Sequence, residues 1–150
     1  MTSQLNVDTI VDKAGSGGTN VKMGNTSTYV SEGGAVTQNT VQGLAKVYNI
    51  FEPDTPTNLS SFNISTLTDN GTGDFTHTFT SSFSTNLQYT FAGSMANQPT
   101  STGAYEYCKP RDQSSILTSS IRTATGYITP SAAAFYDYQN SNFSCHGDLA

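Results

Sequence analysis

Few residues in this chain could do chemistry. It holds two histidines, His77 and His146, two cysteines, Cys108 and Cys145, and 11 carboxylates. A protein-bound metal needs three or four converging nitrogen, sulfur or oxygen ligands. His146 directly follows Cys145, so on a strand the two side chains point to opposite faces and cannot readily share an ion. His77 alternates with Phe75 and Phe79, the setting of a histidine in a packed or inter-subunit sheet. Joining it to His146 or Cys108 still leaves ligands missing, and only histidines gathered on a multi-chain axis would complete a site. No metal and no cofactor is expected. None of the serines sits in a Gly-x-Ser-x-Gly turn. Glutamates are limited to Glu32, Glu52 and Glu106. A glycosidase pair could be drawn from Asp112, Asp137 and Glu106, but nothing in the sequence fixes their separation. No catalytic residue is assigned, and the chain is not expected to be an enzyme.

The acidic stretch TLTDNGTGDFTHTF, Thr66 to Phe79, is the remaining candidate for ion or phosphate binding. A helix-loop-helix calcium site would need flanking helices and a glutamate further on. A phosphate loop would need a strand before it and a helix after it. Asn70-Gly71 between two alternating runs fits a hairpin better, because both residues tolerate positive φ. The stretch is therefore expected to be the bend between two strands, turning at Asn70-Gly71.

The elements around these residues follow from composition. Charged residues make up 11% of the chain, against roughly 25% in an average soluble protein. Thr, Ser, Asn and Gly take their place, a mixture that suits short strands and polar turns. The 8 Tyr and 8 Phe argue for a folded C-terminal part, since disordered segments are poor in aromatics. Period-two runs recur at spacings of roughly ten residues, as in a β-sandwich or barrel. Ala45, Val47, Asn49 and Phe51 share one face, and Lys46, Tyr48 and Ile50 the other. Glu52 to Ser60, with two prolines, is expected to be a loop. Phe62 aligns with Ile64; Phe75 with His77 and Phe79; Leu87 with Tyr89, Phe91 and Gly93; Tyr105 with Tyr107. Ile116, Thr118, Ser120 and Arg122 face opposite to Leu117, Ser119 and Ile121. SAAAFYDYQN is expected to be a strand rather than a helical turn, because its aromatics suit a sheet.

The first 41 residues differ. They hold no Phe and one Tyr, and glycine turns cut them into short strands. Leu5, Val7, Ile10, Val11, Val21 and Met23 are too few to bury a core within one chain, but copies wrapped together could pool them. The division expected is an extended segment, 1–41, and a sandwich, 42–150. The net charge of −5 and the scatter of Lys13, Lys22, Lys46, Lys109, Arg111 and Arg122 argue against nucleic acid as a partner. No apolar run reaches the roughly 20 residues of a membrane span, and the N-terminus has no signal core, so synthesis in a cytoplasm without membrane insertion is expected. Two cysteines are too few for a disulfide framework. One Cys108–Cys145 bond is compatible with the sequence, and two buried thiols fit a reducing compartment better. The stronger functional signal is aromatic. Tyr105 and Tyr107, with Tyr127, Phe135, Tyr136 and Tyr138, stand near Ser-, Thr- and Asn-rich loops, where rings can pack on the apolar face of a sugar or on a protein surface; the five tyrosines are the candidate receptor contacts.

LNVDTIVDKAGSGGTNV resembles the opening segment of fibre-type virion structural proteins of tailed phages, notably those of cyanobacteria and marine bacteria. VQGLAKVYNIF followed by FNISTLTDNGTGDFTHTFTSSF is similar to the C-terminal knob of that family, and CHGDLA to the knob's last strand. The resemblance implies a homotrimer with an intertwined N-terminal stem and three jelly-roll-like β-sandwich knobs at the virion surface. It implies self-association, and docking through 1–41 on another virion protein, either of the tail or the major capsid protein. It also implies contact of the knob with a host surface glycan or protein. It carries over no catalytic residue. Because the chain opens on the stem, attachment within 1–41 is expected, which favours a short fibre, or a capsid-seated cement or decoration trimer, over a long tail fibre. A glycan-cleaving tail spike is the remaining alternative; the chain is short for the parallel β-helix of such spikes.

Overall fold

Alternating runs become strands where their apolar side finds a second sheet to cover it. The computed structural model describes residues 28–30, 37–39, 43–96 and 105–148, and the chain divides into two units, Met1–Val41 and Gln42–Ala150. In the first unit, β1 (Thr28–Val30) and β2 (Thr37–Asn39) pair antiparallel, with Thr28 opposite Asn39. Leu5, Val7, Ile10, Val11, Val21 and Met23 lie outside the described residues.

The second unit holds β3 (Val47–Glu52), β4 (Thr57–Phe62), β5 (Ile64–Gly71), β6 (Asp74–Phe79), β7 (Thr90–Ala96), β8 (Tyr105–Pro110), β9 (Ser120–Ile128), β10 (Ala133–Phe135) and β11 (Asn140–His146). One antiparallel sheet has the order β4-β3-β11-β7. The other is organised by β9. One edge of β9 pairs with β8; the other pairs first with β6, whose far edge holds β5, and then with β10. The change of partner falls at Thr125. Its N–H donates to the Gly73 carbonyl (2.9 Å), its carbonyl accepts from Tyr136 N–H (3.1 Å), and its hydroxyl donates to the Tyr136 carbonyl (2.8 Å). One short 3-10 turn, Gln113–Ser115, is the helical element among the described residues. The expectation of an all-β chain holds, with two antiparallel sheets in the second unit.

The core lies where the alternating faces meet. β3 contributes Val47 and Phe51, β6 contributes Phe75, His77 and Phe79, and β9 contributes Ile121. β11 adds Phe143 and Cys145, β8 adds Cys108, and Phe83 and Tyr89 come from the segment between β6 and β7. Aromatic rings meet edge to face, as in Phe51–Phe75 at 5.4 Å, or stacked, as in Phe83–Tyr89 at 4.1 Å. Each fully buried Phe contributes roughly 2–3 kcal/mol of hydrophobic stabilisation.

Several boundaries differ from the sequence expectation, each for a physical reason. Residues 57–60 belong to β4 and not to a loop; all six residues of β4 are exposed, so this edge strand shows no burial alternation to read. Phe62 and Ile64 do not share a face. Asn63 between them takes φ 61° and turns the chain from the first sheet into the second. Leu87 does not align with Tyr89; it has φ 59°, is exposed, and precedes β7. The run from Ile116 does not begin a strand, because Asp112 caps the 3-10 turn by accepting from Ser115 N–H (2.9 Å) and β9 starts at Ser120. Of SAAAFYDYQN, only Ala133–Phe135 form β10, and the final Asn140 opens β11.

Asn63 is the clearest local determinant of the sheet crossing. Its amide nitrogen donates to the carbonyls of Lys46 (3.1 Å) and Ser81 (2.9 Å), and its amide oxygen accepts from Ser81 N–H (2.6 Å). Glycine would keep the left-handed backbone and lose all three bonds. Asn63→Gly is therefore expected to lose about 2 kcal/mol, seen as a lower urea midpoint at unchanged slope.

Candidate functional site

His77, both thiols, Asp112 and Asp137 are committed to structure. His77 is fully buried, its ring 4.7 Å from those of Phe51 and Phe143. Asn49 Nδ2 lies 3.1 Å from His77 Nδ1, and Thr123 Oγ1 lies 3.0 Å from Nε2. An amide nitrogen only donates, so Nδ1 accepts and the proton sits on Nε2, donated to Thr123. The same Asn49 nitrogen donates to Asn58 Oδ1 (2.7 Å). Burial drives the pKa of His77 down to about 3, so the ring is neutral near pH 7. Two buried oxygens beside this polar core, Asn49 Oδ1 and Ser141 Oγ, find no hydrogen-bond partner among the described residues, at a cost of about 1–3 kcal/mol each.

Cys108 and Cys145 are free, buried thiols, each raised to about 12 by burial, so neither supplies a thiolate near neutral pH. The three acids available for a glycosidase pair are not presented together. Asp137 accepts from Gly73 N–H (2.6 Å), Asp112 caps the 3-10 turn, and Glu106 is exposed on β8. No group of three His, Cys, Asp or Glu among the described residues could hold a metal. None of their helices is long and apolar enough to cross a membrane. A shallow polar groove of about 430 Å³ lies between Ser84–Gln88 and His146–Asp148.

The acidic hairpin is a bend, but it turns two residues later than Asn-Gly predicts. Asp69 Oδ1 accepts from Gly71 N–H (2.8 Å), the pairing shifts register between Asp69 and Gly71, and Gly71 stands opposite Asp74. Thr72 and Gly73 make the turn. Positive φ falls on Gly71 (120°) and Gly73 (65°), and Asn70 does not share it.

The turn delivers Asp74 to the outer face of the β9 sheet, where the surface chemistry gathers. Phe75, His77 and Phe79 point inward, so Asp74 and Thr76 point out. On β8 the buried Cys108 points in, and Tyr105, Tyr107 and Lys109 point out. Register then builds rows across the strands. Tyr105 lies opposite Ile128, itself opposite Ala133. Tyr107 lies opposite Gly126, itself opposite Phe135. Lys109 lies opposite Ala124, itself opposite Asp74. Arg111 N–H donates to the Arg122 carbonyl (2.9 Å), which extends the β8–β9 pairing by one residue.

Asp74 is buried beneath two guanidiniums. Arg122 Nε and Nη2 each reach one of its oxygens at 2.6 Å, and Arg111 pairs with it from β8's end. Burial pushes this carboxyl up, but the Arg122 hydrogen bond, the charges of Arg111 and Arg122, and Asn70 together hold it below the usual range. Asp74→Asn is expected to lose about 2 kcal/mol at pH 7, less than a fully buried pair would because both guanidiniums are part exposed. The lowered pKa means that this stabilisation is complete above about pH 4 and lost as the folded-state pKa is passed. The two proteins should therefore converge in acid-unfolding curves.

Arg111 also lies over the Phe135 ring at 4.9 Å, and Lys109 Nζ lies 5.6 Å from the Tyr107 ring centroid. The Tyr107 ring lies across Gly126, where a Cβ would come within 2.6 Å of the Tyr107 hydroxyl. Tyr105 is 78% exposed, more than any other large hydrophobic residue among those described, and Phe135 is 44% exposed. Of the five candidate tyrosines, Tyr105 and Tyr107 lie on this face. Tyr127 and Tyr136 pack edge to face at 6.4 Å, and Tyr136 lies 4.9 Å from Tyr138. Tyr138 is 2% exposed and supports this cluster from behind, without reaching the surface. Phe135, which the sequence sets beside the tyrosines, also lies on this face; Lys109, Arg111, Arg122 and Asp74 were not among the candidates. A signal for part of the set was present: Tyr105, Tyr107, Lys109 and Arg111 follow one another at period two.

No family model, curated protein or solved structure matches the chain. Fold and surface define it as an all-β protein whose second unit pairs two antiparallel sheets and displays aromatic and cationic side chains on one outer face.

Proposed function

We propose that this chain is a non-enzymatic structural protein of a tailed-phage virion, a trimeric surface projection that attaches to the host. In this reading 1–41 forms the intertwined stem and docks on a neighbouring virion protein, while 42–150 is the jelly-roll-like knob exposed to the host surface. The observation that carries the attachment role is the outer face of β8 and β9, where large aromatic rings stand exposed on a rigid sheet. Such rings take part in recognition when they are held without a covering element. The engagement of His77, both thiols and Asp137 in the fold supports a role in binding over one in turnover.

A quantitative count of this chain against the major capsid protein, in purified particles of the virus that encodes it, tests the reading. A ratio of a few per cent or less is expected, with cross-linked trimers. A near-stoichiometric ratio would make the protein a capsid decoration that clamps head subunits. Absence from particles would overturn the virion role.

A further inference from the structure

Three of the four cationic side chains in the described residues, Lys109, Arg111 and Arg122, lie together on one face of a chain whose net charge is −5. Two guanidiniums share a single carboxylate, Asp74, which is buried beneath them. The charge of Asp112 also acts on Arg122, so with Lys109 beside them three cations meet two carboxylates and the surface keeps a surplus of one positive charge. The carboxylate within the rows from Tyr105 to Arg122, Asp74, is paired, and the amide beside it, Asn70, turns its nitrogen to Thr76 Oγ1 (2.9 Å) and Asp74 Oδ1 (3.5 Å). Asp112, just past their end, accepts from Ser114 and Ser115 through one oxygen. The polar groups offered outward are thus mainly donors, next to the rings of Tyr105, Tyr107 and Phe135. A ligand that fits must bring an apolar face and a cluster of acceptors within one residue's reach.

We infer that this face binds carboxylated saccharides of the uronic-acid type. Tyr105, Tyr107 and Phe135 pack on the C–H faces of the sugar rings, and Lys109 with the outer edges of Arg111 and Arg122 receives the carboxylate. A neutral glycan would leave the cations without a task. A nucleic acid needs a longer basic track, and the acidic remainder of the protein would repel it. A second copy meeting the same face would set cations against cations. The inference names the ligand class for the attachment reading above and rests on that reading.

The test uses the full chain and two probes: a galacturonate oligomer, and the same oligomer with its carboxylates methyl-esterified. Calorimetric titration should show binding of the acid form, weakened about tenfold or more by esterification and weakened by added salt. Tyr105→Ala and Lys109→Gln change exposed side chains, and each should weaken acid-form binding several-fold with unchanged melting temperature. Phe135→Ala provides a second test of stacking. Equal binding of acid and ester, or no binding of either, overturns the inference. So does a change of oligomeric mass on Tyr105→Ala or Lys109→Gln, because the face would then join copies of the chain. The particle count is independent of this assay. Presence on particles without acid-selective binding defeats the ligand class alone, and binding by a chain absent from particles defeats the attachment reading alone.

Discussion

Between pH 6 and pH 4 the protein is expected to lose about 2–3 kcal/mol of folding stability through His77 alone, and His77→Gln is expected to remove most of that slope. The unfolded histidine titrates near 6.5, whereas burial holds the folded one near 3. Between those values the unfolded chain binds a proton that the folded chain refuses. The stabilisation is therefore complete above pH 6.5 and falls by about 1.4 kcal/mol per pH unit as acid is added, until the folded-state pKa is passed. The carboxylates that stabilise the fold, Asp74 and Asp112, have lowered pKa values and contribute losses only below about pH 4. The window from pH 6 to pH 4 thus isolates the histidine. Glutamine can accept from Asn49 and donate to Thr123 in the same places, so the variant should fold, with a moderate loss at pH 7 and a nearly flat profile through the window. Urea midpoints taken across the window make the comparison. A flat wild-type profile would mean that the ring is reached by solvent and is not sealed between Phe51 and Phe143.

The same histidine shows what the sequence could and could not convey. Its inward direction was legible, because Phe75, His77 and Phe79 alternate with threonines on a strand covered on one side only. Its partners were not, since Asn49 and Thr123 are distant in sequence and meet it only when the two sheets face each other. β3 was legible for the same reason as β6. β4 was hidden because both its faces meet solvent, and a strand exposed on both sides carries no period-two signal. The corner at Asn63 was hidden because a single residue with positive φ converts two apparently aligned residues, Phe62 and Ile64, into members of different sheets. Of the outer face of the β9 sheet, the β8 component could be seen as alternating tyrosines. On β10, Phe135 could be named with the tyrosines, but its place beside Tyr107 and Arg111 could not, because it reaches that face only through the exchange of strand partners at Thr125.

That exchange makes Gly73, and not Gly71, the residue on which the hairpin depends. Both have positive φ, so a side chain at either meets backbone strain of roughly 1–2 kcal/mol. Gly71 has open space around the position of a Cβ, so Gly71→Ala should cost about 1 kcal/mol. At Gly73 a Cβ would stand 2.3 Å from the Thr125 carbonyl oxygen, 2.7 Å from Phe135 Cβ and 2.9 Å from Tyr136 nitrogen. Two of those atoms are backbone, so no rotamer change relieves the overlap. The turn would have to move away from β9, pulling on the bonds from Thr125 N–H to the Gly73 carbonyl and from Gly73 N–H to Asp137. Strain and displacement together put Gly73→Ala at about 3 kcal/mol or more. The consequence extends beyond stability. Asp74 follows the turn directly, and Phe135 packs against it, so a displaced turn would shift both the carboxylate that gathers Arg111 and Arg122 and the ring beneath Arg111. Gly73→Ala should therefore weaken uronate binding as well as lower the unfolding midpoint, whereas Gly71→Ala should lower the midpoint slightly and leave binding unchanged. Equal losses at the two glycines would show that φ alone governs the hairpin, and that the contact between the turn and β9 contributes nothing.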